Sequence, residues 1–493
     1  MALTPGGSLN SVPAPQKQTL QTNYIDFTAT TTSGWAQQYL PDLMEQESEV
    51  FGPRTISGFL ASVGAEEPMM SDQVIWSEQG RLHLSYKATI TDFDGGAQTG
   101  GRMTITQDID NTSGFTATAH GIRPNDTVLL ATALGTVKAI VIAASNGSST
   151  VDVAPYGVAD LTALGNENEA NACTVLVYGS EFVKGSEGRS QANEPQFQSF
   201  SNKPIILKDY YEISGSDTGA IGWVETSSED GTAGYMWYVK AESDTRARFA
   251  DYLEMSLLEA ESGVPGTDKV DDYLALTGVG TAVARTGTEG LFAAIESRGN
   301  TTNGITGSSA AVDFAEFDTI LAEFDRQGAI EEYMIFCNRA TSLAMDDMLA
   351  SMNSGYSGGA SYGVFQNSEG MALNLGFMGF RRGSYDFYKS DFRYLNDKAT
   401  RGGINSATNV DAIRGMFIPA GTSTVYDQMM GKNMMRPFLH VRYKSSSMED
   451  RYMKTWVTGG VGAATSSLDA MQLHYLSERC LVTQGANNFM LLK

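Results

Sequence analysis

Apolar side chains recur every three or four residues across one long stretch of this sequence, residues 232–262, and the spacing predicts an amphipathic helix. Gly263 and Pro265 follow it and are typical of a helix end. At ~1.5 Å per residue the helix would be about 45 Å long, over twice the length of an ordinary globular helix. Its predicted buried stripe consists of Tyr238, Ala241, Thr245, Phe249, Tyr252, Leu253, Ser256, Leu257 and Ala260. We expect this helix to support much of the fold, although a surface helix of an enzyme would give the same pattern.

Alternating apolar and polar residues predict strands before this helix. Residues 73–93 alternate in this way and predict a two-stranded hairpin with its turn at Gln79-Gly80. A small all-β module, either a barrel or a sandwich, is predicted at about residues 96–179, where short β-rich segments are separated by turns. Its expected strands are residues 103–106, 127–134, 137–143, 150–154 and 174–178. The module is thus inserted in a longer extended loop that precedes the long helix. The extended segment 197–213 leads from the module to that helix.

The C-terminal half of the chain combines helices with strands. Residues 313–327 and 340–352 have helical periodicity, and the apolar run 333–337 between them predicts a buried strand. This order is typical of an α/β layer. Three later segments alternate and predict antiparallel strands that return to the core: residues 438–443, 452–457 and 471–481. The predicted fold class is α+β.

Composition and charge narrow the classes of function. The chain has 493 residues and a formal net charge of −23, which disfavours a surface that grips DNA or anionic lipid. An acidic wall that encloses nucleic acid without adhering to it remains allowed. No apolar run is long enough to span a membrane, and the N-terminus lacks a secretory leader pattern. The three widely spaced cysteines predict buried thiols in a reducing compartment.

Motifs for chemistry are weak. The four histidines are not paired at a ligand spacing, so each is expected to be structural or on the surface. Asp108-Ile109-Asp110-Asn111 resembles the start of a calcium loop, but Ser113 occupies the position that needs glycine. Gly278-Val279-Gly280 lacks the third glycine of a dinucleotide site. We therefore predict no catalytic residues, no cofactor and no metal.

Two basic foci stand out in this acidic chain. They are Phe380-Arg381-Arg382-Gly383 and Lys432-Asn433-Met434-Met435-Arg436. Each is either a solvated loop or a contact with an acidic neighbour, in particular another copy of the chain.

The order of parts resembles the major capsid proteins of tailed phages, which have the Hong Kong 97-type fold. Several stretches are similar to capsid proteins of crAss-like and related podophages: Val74-Ile75-Trp76-Ser77-Glu78-Gln79-Gly80-Arg81, Ile206-Leu207-Lys208-Asp209-Tyr210-Tyr211-Glu212-Ile213-Ser214-Gly215 and residues 480–491. The resemblance covers nearly the whole chain and depends on architecture more than on any single motif.

The resemblance implies a domain plan. Residues 1–72 would form an N-terminal arm, polar over its first 34 residues and ordered by neighbours. Residues 73–205 would form the E-loop, with the β module inserted at about 96–179. Residues 206–285 would form the peripheral domain with its spine helix, 286–430 the axial domain, and 431–493 strands that return to the peripheral domain. The short arm leads us to expect no cleaved scaffolding domain, and Lys184 gives no basis for a crosslink.

The implied function is a shell. Copies would assemble into hexamers and pentamers of an icosahedral phage head that encloses double-stranded DNA, in the cytoplasm of a bacterial host. Portal, scaffolding, decoration or head-fibre proteins would be the other partners, with no membrane. Candidates for contacts between subunits are Trp76, Arg189, Arg381, Arg382 and Arg436.

Two other functions remain open at this stage. The first is an encapsulin-like compartment shell, although such proteins are usually shorter and lack an inserted β module. The second is a β-rich enzyme or carbohydrate-binding protein, which would need a pocket with convergent polar groups. If the chain is a capsid protein, deletion of residues 96–178 with a short linker is expected to leave assembly possible.

Overall fold

The computed structural model describes residues 58–79, 83–95, 100–110, 115–145, 147–166, 172–189, 193, 197–216, 225–227, 233–263, 287–327, 330–354, 364–365, 378–405, 411–420, 422–427, 432–461 and 465–493. The chain divides into two compact units, Ser77–Phe200 and the combination of Met1–Trp76 with Ser201–Lys493. We call these the barrel unit and the main unit. The predicted polar arm and the Gly278-Val279-Gly280 motif lie outside the described residues.

Helices and strands are both abundant, so the predicted mixed α and β content is confirmed. The described helices are α1 (Phe59–Val63), α2 (Met236–Glu259), α3 (Leu291–Arg298), α4 (Ala310–Gln327), α5 (Arg339–Ser354) and α6 (Arg401–Ile404). The strands of the first half are β1 (Glu66–Met69), β2 (Val74–Gln79), β3 (Ser85–Asp92), β4 (Arg102–Asp108), β5 (Asp126–Ala131), β6 (Thr136–Ala144), β7 (Thr150–Pro155), β8 (Ala172–Ser180), β9 (Phe197–Asn202), β10 (Ile205–Ser214), β11 (Glu225–Ser227) and β12 (Ala233–Tyr235). Those of the second half are β13 (Asn300–Thr302), β14 (Glu332–Cys337), β15 (Val364–Phe365), β16 (Met378–Arg382), β17 (Tyr385–Asp391), β18 (Gly415–Pro419), β19 (Thr422–Asp427), β20 (Lys432–Pro437), β21 (Leu439–Lys444), β22 (Lys454–Gly459), β23 (Ala470–Thr483) and β24 (Met490–Leu492).

The barrel unit contains a closed six-stranded barrel with strand order β3-β4-β7-β6-β5-β8. All its strand pairs are antiparallel. Alternate residues point into the barrel because successive side chains of a strand lie on opposite faces. The interior includes Met103, Ile105, Val128, Leu130, Val141, Val151, Val153 and Val175, all buried. Of the two architectures that the sequence left open, the structure has the barrel.

The barrel begins earlier than the sequence analysis placed it. Strand β3 lies before residue 96 but pairs with β4 and β8 to close the barrel. The predicted hairpin over residues 73–93 is therefore wrong, because β2 pairs with β9 instead of β3. Alternation identifies a strand and its two faces, but it does not identify the strand's partner.

The long helix packs on a five-stranded sheet of the main unit. The sheet has the order β1-β21-β23-β10, and β22 pairs with β23 as well. Phe249 and Leu253 of α2 contact Leu473 and Tyr475 of β23, and the Phe249 and Tyr475 rings are 5.8 Å apart. One face of the sheet is thus covered by α2.

The prediction for the long helix is confirmed in type and corrected in detail. The helix has 24 residues, which is about 36 Å at ~1.5 Å per residue, so it is shorter than predicted. Thr245, Phe249, Leu253 and Leu257 are buried as expected. Tyr252 is 47% exposed, so its place on the buried stripe was wrong. A tyrosine has both an apolar ring and a polar hydroxyl, so periodicity alone does not fix its side.

A seven-stranded sheet forms the second layer of the main unit, with the order β13-β24-β18-β14-β17-β16-β15. Helices α4 and α5 flank β14 in the sequence, as the helix, strand, helix prediction required. Their apolar residues join those of the sheet in one core, which includes Phe317, Phe324, Tyr333, Met345, Phe387 and Phe417. The α/β layer is confirmed.

Both ends of the predicted domain plan need correction. Residues 58–72 belong to the body of the main unit, since the Phe59 ring lies 4.7 Å from that of Phe336 and β1 pairs with β21. The predicted arm is too long because a single short apolar segment gives no periodicity that would identify α1 in the sequence. At the other end, β24 pairs with β13 and β18 in the seven-stranded sheet, so residues 431–493 do not all return to the five-stranded sheet.

Asn202 joins three parts of the main unit through one buried amide. Its Nδ2 donates to the backbone oxygens of Glu289 at 2.9 Å and Leu481 at 2.7 Å. Its Oδ1 accepts from the Thr288 hydroxyl at 3.1 Å and from the backbone N–H of Glu289 at 2.9 Å. The end of β9, the start of α3 and strand β23 are held together at this residue.

Asn202→Ala should destabilise the main unit by about 3 kcal/mol, because it leaves several buried donors and acceptors without partners. Chemical denaturation followed by circular dichroism measures the change. Asn303→Ala, at an exposed asparagine, is the control and should change the free energy of unfolding by under about 0.5 kcal/mol. Equal effects from the two variants would contradict the role assigned to Asn202.

The corrected barrel boundary predicts different outcomes for two deletions that share one end. Removal of residues 96–178 leaves β3 without partners and exposes Tyr86, Ile90 and Phe93, so aggregation is expected. Removal of residues 84–178 takes β3 away as well. The two ends of this deletion are close enough for a short linker. Leu84, the first residue removed, accepts a hydrogen bond at 3.0 Å from the N–H of Val177, which is next to the last residue removed. Size-exclusion chromatography should recover soluble protein only from the longer deletion; the reverse result would show that β3 belongs elsewhere.

Candidate functional site

The five residues predicted to contact other subunits lie on different elements of the fold. Arg381 and Arg382 are neighbours on β16 and lie in the seven-stranded sheet of the main unit. Trp76 lies in β2, and Arg436 lies in β20 opposite Ser423 of β19. Arg189 belongs to the barrel unit. Their role in contacts between subunits stays a prediction.

Arg382 is already engaged within its own chain. Its Nε and terminal nitrogen donate to the two carboxylate oxygens of Asp318 on α4 at 2.6 and 2.7 Å. The guanidinium also lies 3.8 Å from the centre of the Phe314 ring. Arg381 faces solvent, with a looser approach of 3.5 Å to Asp386. Of the two arginines, Arg381 has more freedom to meet an outside partner.

Arg189 and Trp76 are also held by intrachain contacts. Arg189 donates to both carboxylate oxygens of Asp126 at 2.7 Å, and this aspartate is buried. The Trp76 ring is buried, and the guanidinium of Arg298 lies 5.7 Å from its centre. The burial of Trp76 leaves little of its ring for a neighbour, whereas the Arg189 side chain is still 38% exposed beside Asp126.

A row of three aromatic side chains crosses the outer face of the five-stranded sheet, and sequence analysis missed it. Tyr210 of β10 and Trp456 of β22 both pair with His474 of β23. The Tyr210 and His474 rings are 5.9 Å apart, and the Trp456 and His474 rings are stacked at 5.2 Å. Leu473 and Tyr475 on either side of His474 face α2, so this aromatic row lies on the opposite face. Tyr210 is 46% exposed.

Polar side chains beside the aromatic row are hydrogen-bonded to one another. The Thr458 hydroxyl lies 2.6 Å from His474 Nε2, and Gln472 Nε2 donates to Glu212 at 2.7 Å. The ammonium group of Lys454 lies 5.8 Å from the centre of the Trp456 ring. The face therefore combines apolar rings with polar groups that already have partners, which suits a contact surface better than a reactive one.

An ion-pair network ties β1 and the connection between β21 and β22 to the same sheet. Glu478 is buried and pairs with Arg451 at 2.6 Å and with Lys444 at 3.8 Å. Arg479 pairs with Glu66 at 2.9 Å, and its guanidinium lies 4.1 Å from the centre of the Tyr452 ring. Buried charges with several partners fix geometry more than they add stability.

The cysteines are buried and free, as the sequence predicted. Burial raises the pKa of Cys173 to about 11, and it raises the pKa values of Cys337 and Cys480 to about 12. These thiols stay protonated near neutral pH, and a thiol is a poor nucleophile compared with a thiolate. They act as small apolar side chains.

Two histidines have structural surroundings. His120 is buried with Nε2 at 2.9 Å from the Ser148 oxygen, and burial lowers the pKa of its ring. His440 is buried with Nδ1 at 3.2 Å from the Pro437 oxygen. Within the described residues, no group of three or more His, Cys, Asp and Glu side chains is placed to hold a metal ion. None of the helices in that part of the chain is both long and apolar enough to span a membrane.

Glu254 is a buried carboxylate that connects α2 to the start of α1. It is 9% exposed and accepts hydrogen bonds from the backbone N–H of Gly58 at 2.6 Å and of Leu60 at 3.4 Å. Burial raises the pKa of Glu254 from its ordinary value of 4.5 to about 7, against these hydrogen bonds, and the charge of Asp251 acts in the same direction as burial. The charge at this contact therefore changes near neutral pH.

No protein-family model matches this chain, and no curated protein matches it. Solved structures do align with it. A chain from the structure titled "Mycobacterium phage Ogopogo" is 8% identical, with 94% of this chain and 99% of that chain covered and a TM-score of 0.38. A chain from "Microbacterium phage Oxtober96" is 10% identical, with 92% of this chain and 95% of that chain covered and a TM-score of 0.36. A chain from "Capsid of native GTA particle computed with C5 symmetry" is 8% identical, with 94% of this chain and 98% of that chain covered and a TM-score of 0.35. No family membership follows from likeness at this level.

Glu254→Gln should flatten the pH dependence of stability between pH 4.5 and 7. The folded chain binds a proton at Glu254 more tightly than the unfolded chain does. Its contribution is therefore complete below about pH 4.5 and is lost as the pH rises through about 7, a change of about 3 kcal/mol. Glutamine keeps an oxygen for the Gly58 N–H but does not titrate.

Thermal unfolding from pH 4.5 to 8 measures this effect as a slope. The exposed Asp244 lies on the same helix, and Asp244→Asn should leave the slope of the natural chain unchanged. A Glu254→Gln slope equal to that of the natural chain would show that the carboxylate is solvated in the folded protein.

Proposed function

We propose that this chain is a structural shell protein, the major capsid protein of a tailed phage with the Hong Kong 97-type fold. The observation that carries the proposal is the arrangement of its parts. Along the chain, the paired strands β2 and β9 enclose a closed barrel, and one long helix that packs on a sheet of distant strands follows them. A separate α/β layer comes after the helix. Such capsid proteins have their domains in this order.

In this proposal the main described elements have counterparts. Helix α2 is the spine helix, and the five-stranded sheet that it covers is the peripheral domain. The seven-stranded sheet with α4 and α5 is the axial domain. Strands β2 and β9 form the E-loop, which carries the barrel as an insertion. The N-terminal arm would precede residue 58, outside the described residues. Closeness to crAss-like and related podophages is the finer part of the proposal.

Self-association is supported by the aromatic row on the main unit. Tyr210, Trp456 and the neighbouring Ile206 leave apolar surface on a sheet face that α2 does not cover. Burial of such surface stabilises a contact by ~25 cal/mol per Å², and a stable interface buries about 1,600 Å² in total. In hexamers and pentamers, many such contacts between copies would together stabilise a closed shell.

The charge of the chain agrees with enclosure of DNA without adhesion. The net charge is −23, and several arginines are already paired within the chain, including Arg189 with Asp126 and Arg382 with Asp318. Paired guanidinium groups are not available to phosphates. We propose that the shell encloses DNA and that the main binding partners of each chain are other copies of the same chain. Portal, scaffolding, decoration and head-fibre proteins would be further partners, with assembly in the bacterial cytoplasm and residence in the virion.

The chemistry of the described residues favours a structural role over an enzymatic one. The buried thiols are protonated and the two buried histidines bond to backbone oxygens. An encapsulin-like compartment would share the fold, so the contents of the particle distinguish it: nuclease-resistant DNA is expected here, and cargo enzymes without DNA are expected for a compartment.

Negative-stain electron microscopy of the chain, expressed alone and with its neighbouring genes, tests the proposal. Closed shells or tubes of regular capsomers are expected. Small discrete particles under both conditions would overturn the proposal.

A pair of variants tests the proposed contact face. Tyr210→Glu puts a charge into the aromatic row and should lower the yield of shells at least tenfold while the melting temperature of the free chain is kept. Tyr252 on α2 has nearly the same exposure, so Tyr252→Glu is the matched control with a smaller expected loss. Equal yields from the two variants would remove the aromatic row from the contact.

A further inference from the structure

The outer surface of the barrel has two walls of opposite character. On strands β3 and β4 the outward residues are polar, and they include Thr89, Thr91, Thr104 and Thr106. Arg102 of β4 pairs with Asp152 of β7 on the same side at 2.6 Å. A barrel that is surrounded by water is expected to be polar in this way all round, because its apolar residues are needed inside. We call these residues the polar wall.

The other wall, on strands β5, β6 and β8, is richer in apolar residues, although Thr136, Lys138 and Thr174 also face outward there. Its apolar residues are Leu129, Ile140, Ile142, Leu176 and Tyr178 of these strands and Tyr156, which follows β7; we call the six the apolar wall. The strand register pairs Leu176 of β8 directly with Leu129 of β5, whereas on β6 Lys138 is opposite Leu129 and Ile140 is opposite Thr127. The Tyr156 hydroxyl donates to Glu181, the residue that follows β8, so Tyr156 reaches across to the β8 side of the wall. Four of the six side chains are 38–52% exposed.

The size of the apolar wall limits what can cover it. Six partly exposed side chains amount to a few hundred Å², the size of a large patch on a soluble protein. A stable contact between two free proteins needs about 800 Å² from each partner. The wall alone is too small for that, so its partner has to be held nearby by other contacts. Neighbouring copies in a shell meet this condition, since linked contacts raise the effective concentration.

Charge also points to a second copy as the occupant. Lys138 lies opposite Leu129 within the wall, and Glu181 accepts a hydrogen bond from Tyr156, so these two charged groups of the wall have opposite signs. The whole chain has a net charge of −23, so two copies repel each other as they approach. The apolar wall is a place where two copies can approach with less of that repulsion. An apolar wall can also pack against the identical wall of a second copy, as a two-fold contact requires.

We propose that the apolar walls of two neighbouring copies of this chain pack against each other in the assembled particle. This contact rests on the proposed shell function and adds to it a second interface, outside the main unit. It joins neighbours that are already held by the main units.

Cysteine cross-linking in assembled particles tests the contact. The three native cysteines are buried, so an introduced surface cysteine is the reactive one. Tyr178→Cys places a thiol on the apolar wall, and Thr106→Cys places one on the polar wall of the same barrel as the matched control. Both changes are on outward positions, so the barrel interior is kept. A short bis-maleimide and denaturing gel electrophoresis then report covalent dimers.

At least fivefold more dimer is expected from Tyr178→Cys than from Thr106→Cys in particles. Equal or absent cross-linking in well-formed particles would overturn the contact and leave the shell function standing; the wall would then face a different partner. Equal cross-linking in dilute free chain and in particles would also overturn it, because the contact is proposed to need neighbours held by the main unit. Absence of any particles under the microscope would overturn both proposals.

Discussion

The pairing of β23 with strands on both of its edges is the constraint on which the main unit depends. Along one edge β23 bonds to β10, and along the other it bonds to β22 and then to β21. Its alternate side chains are divided between two environments: Tyr475 packs on the long helix, and His474 lies in the aromatic row. The register of this strand therefore decides both what α2 covers and what is left for a neighbour. A shift of one residue would exchange the two faces.

Sequence periodicity predicted the elements of this fold better than their partners. The helical stripe with Phe249 and Leu253 was found because its neighbours repeat at helical spacing, and the strand before α5 was found because it is a short apolar run between two helices. The pairing of β2 with β9 and the inclusion of β3 in the barrel were not found. Strand partners are chosen by contacts between distant residues, and a local pattern contains no information on them.

The candidate contact surfaces also depend on which strands pair, which the sequence does not predict. Arg381, Arg382 and Arg436 stand out in the sequence because basic residues are few in this acidic chain, but Arg382 is bound to Asp318 of its own chain. Arg189, the other predicted arginine, is bound to Asp126. The aromatic row and the apolar wall were missed because each is assembled from three strands, and only the register brings Tyr210, His474 and Trp456 together. Most glutamates of a helix lie on its solvent side, but Glu254 is buried. Its burial depends on α1, which is distant in sequence.

The two units differ in how far apart their paired strands are along the chain, and this affects the order of folding during synthesis. The barrel closes with strands that all lie within residues 85–180. The five-stranded sheet needs β10 and β23, which are more than 250 residues apart. Contacts between nearby residues form sooner than contacts across a long loop. The barrel can therefore fold while the ribosome is still making the main unit, and β10 waits unpaired until β23 emerges. During that interval its apolar residues are exposed, and this is the stage at which the chain is most open to chaperones or to aggregation.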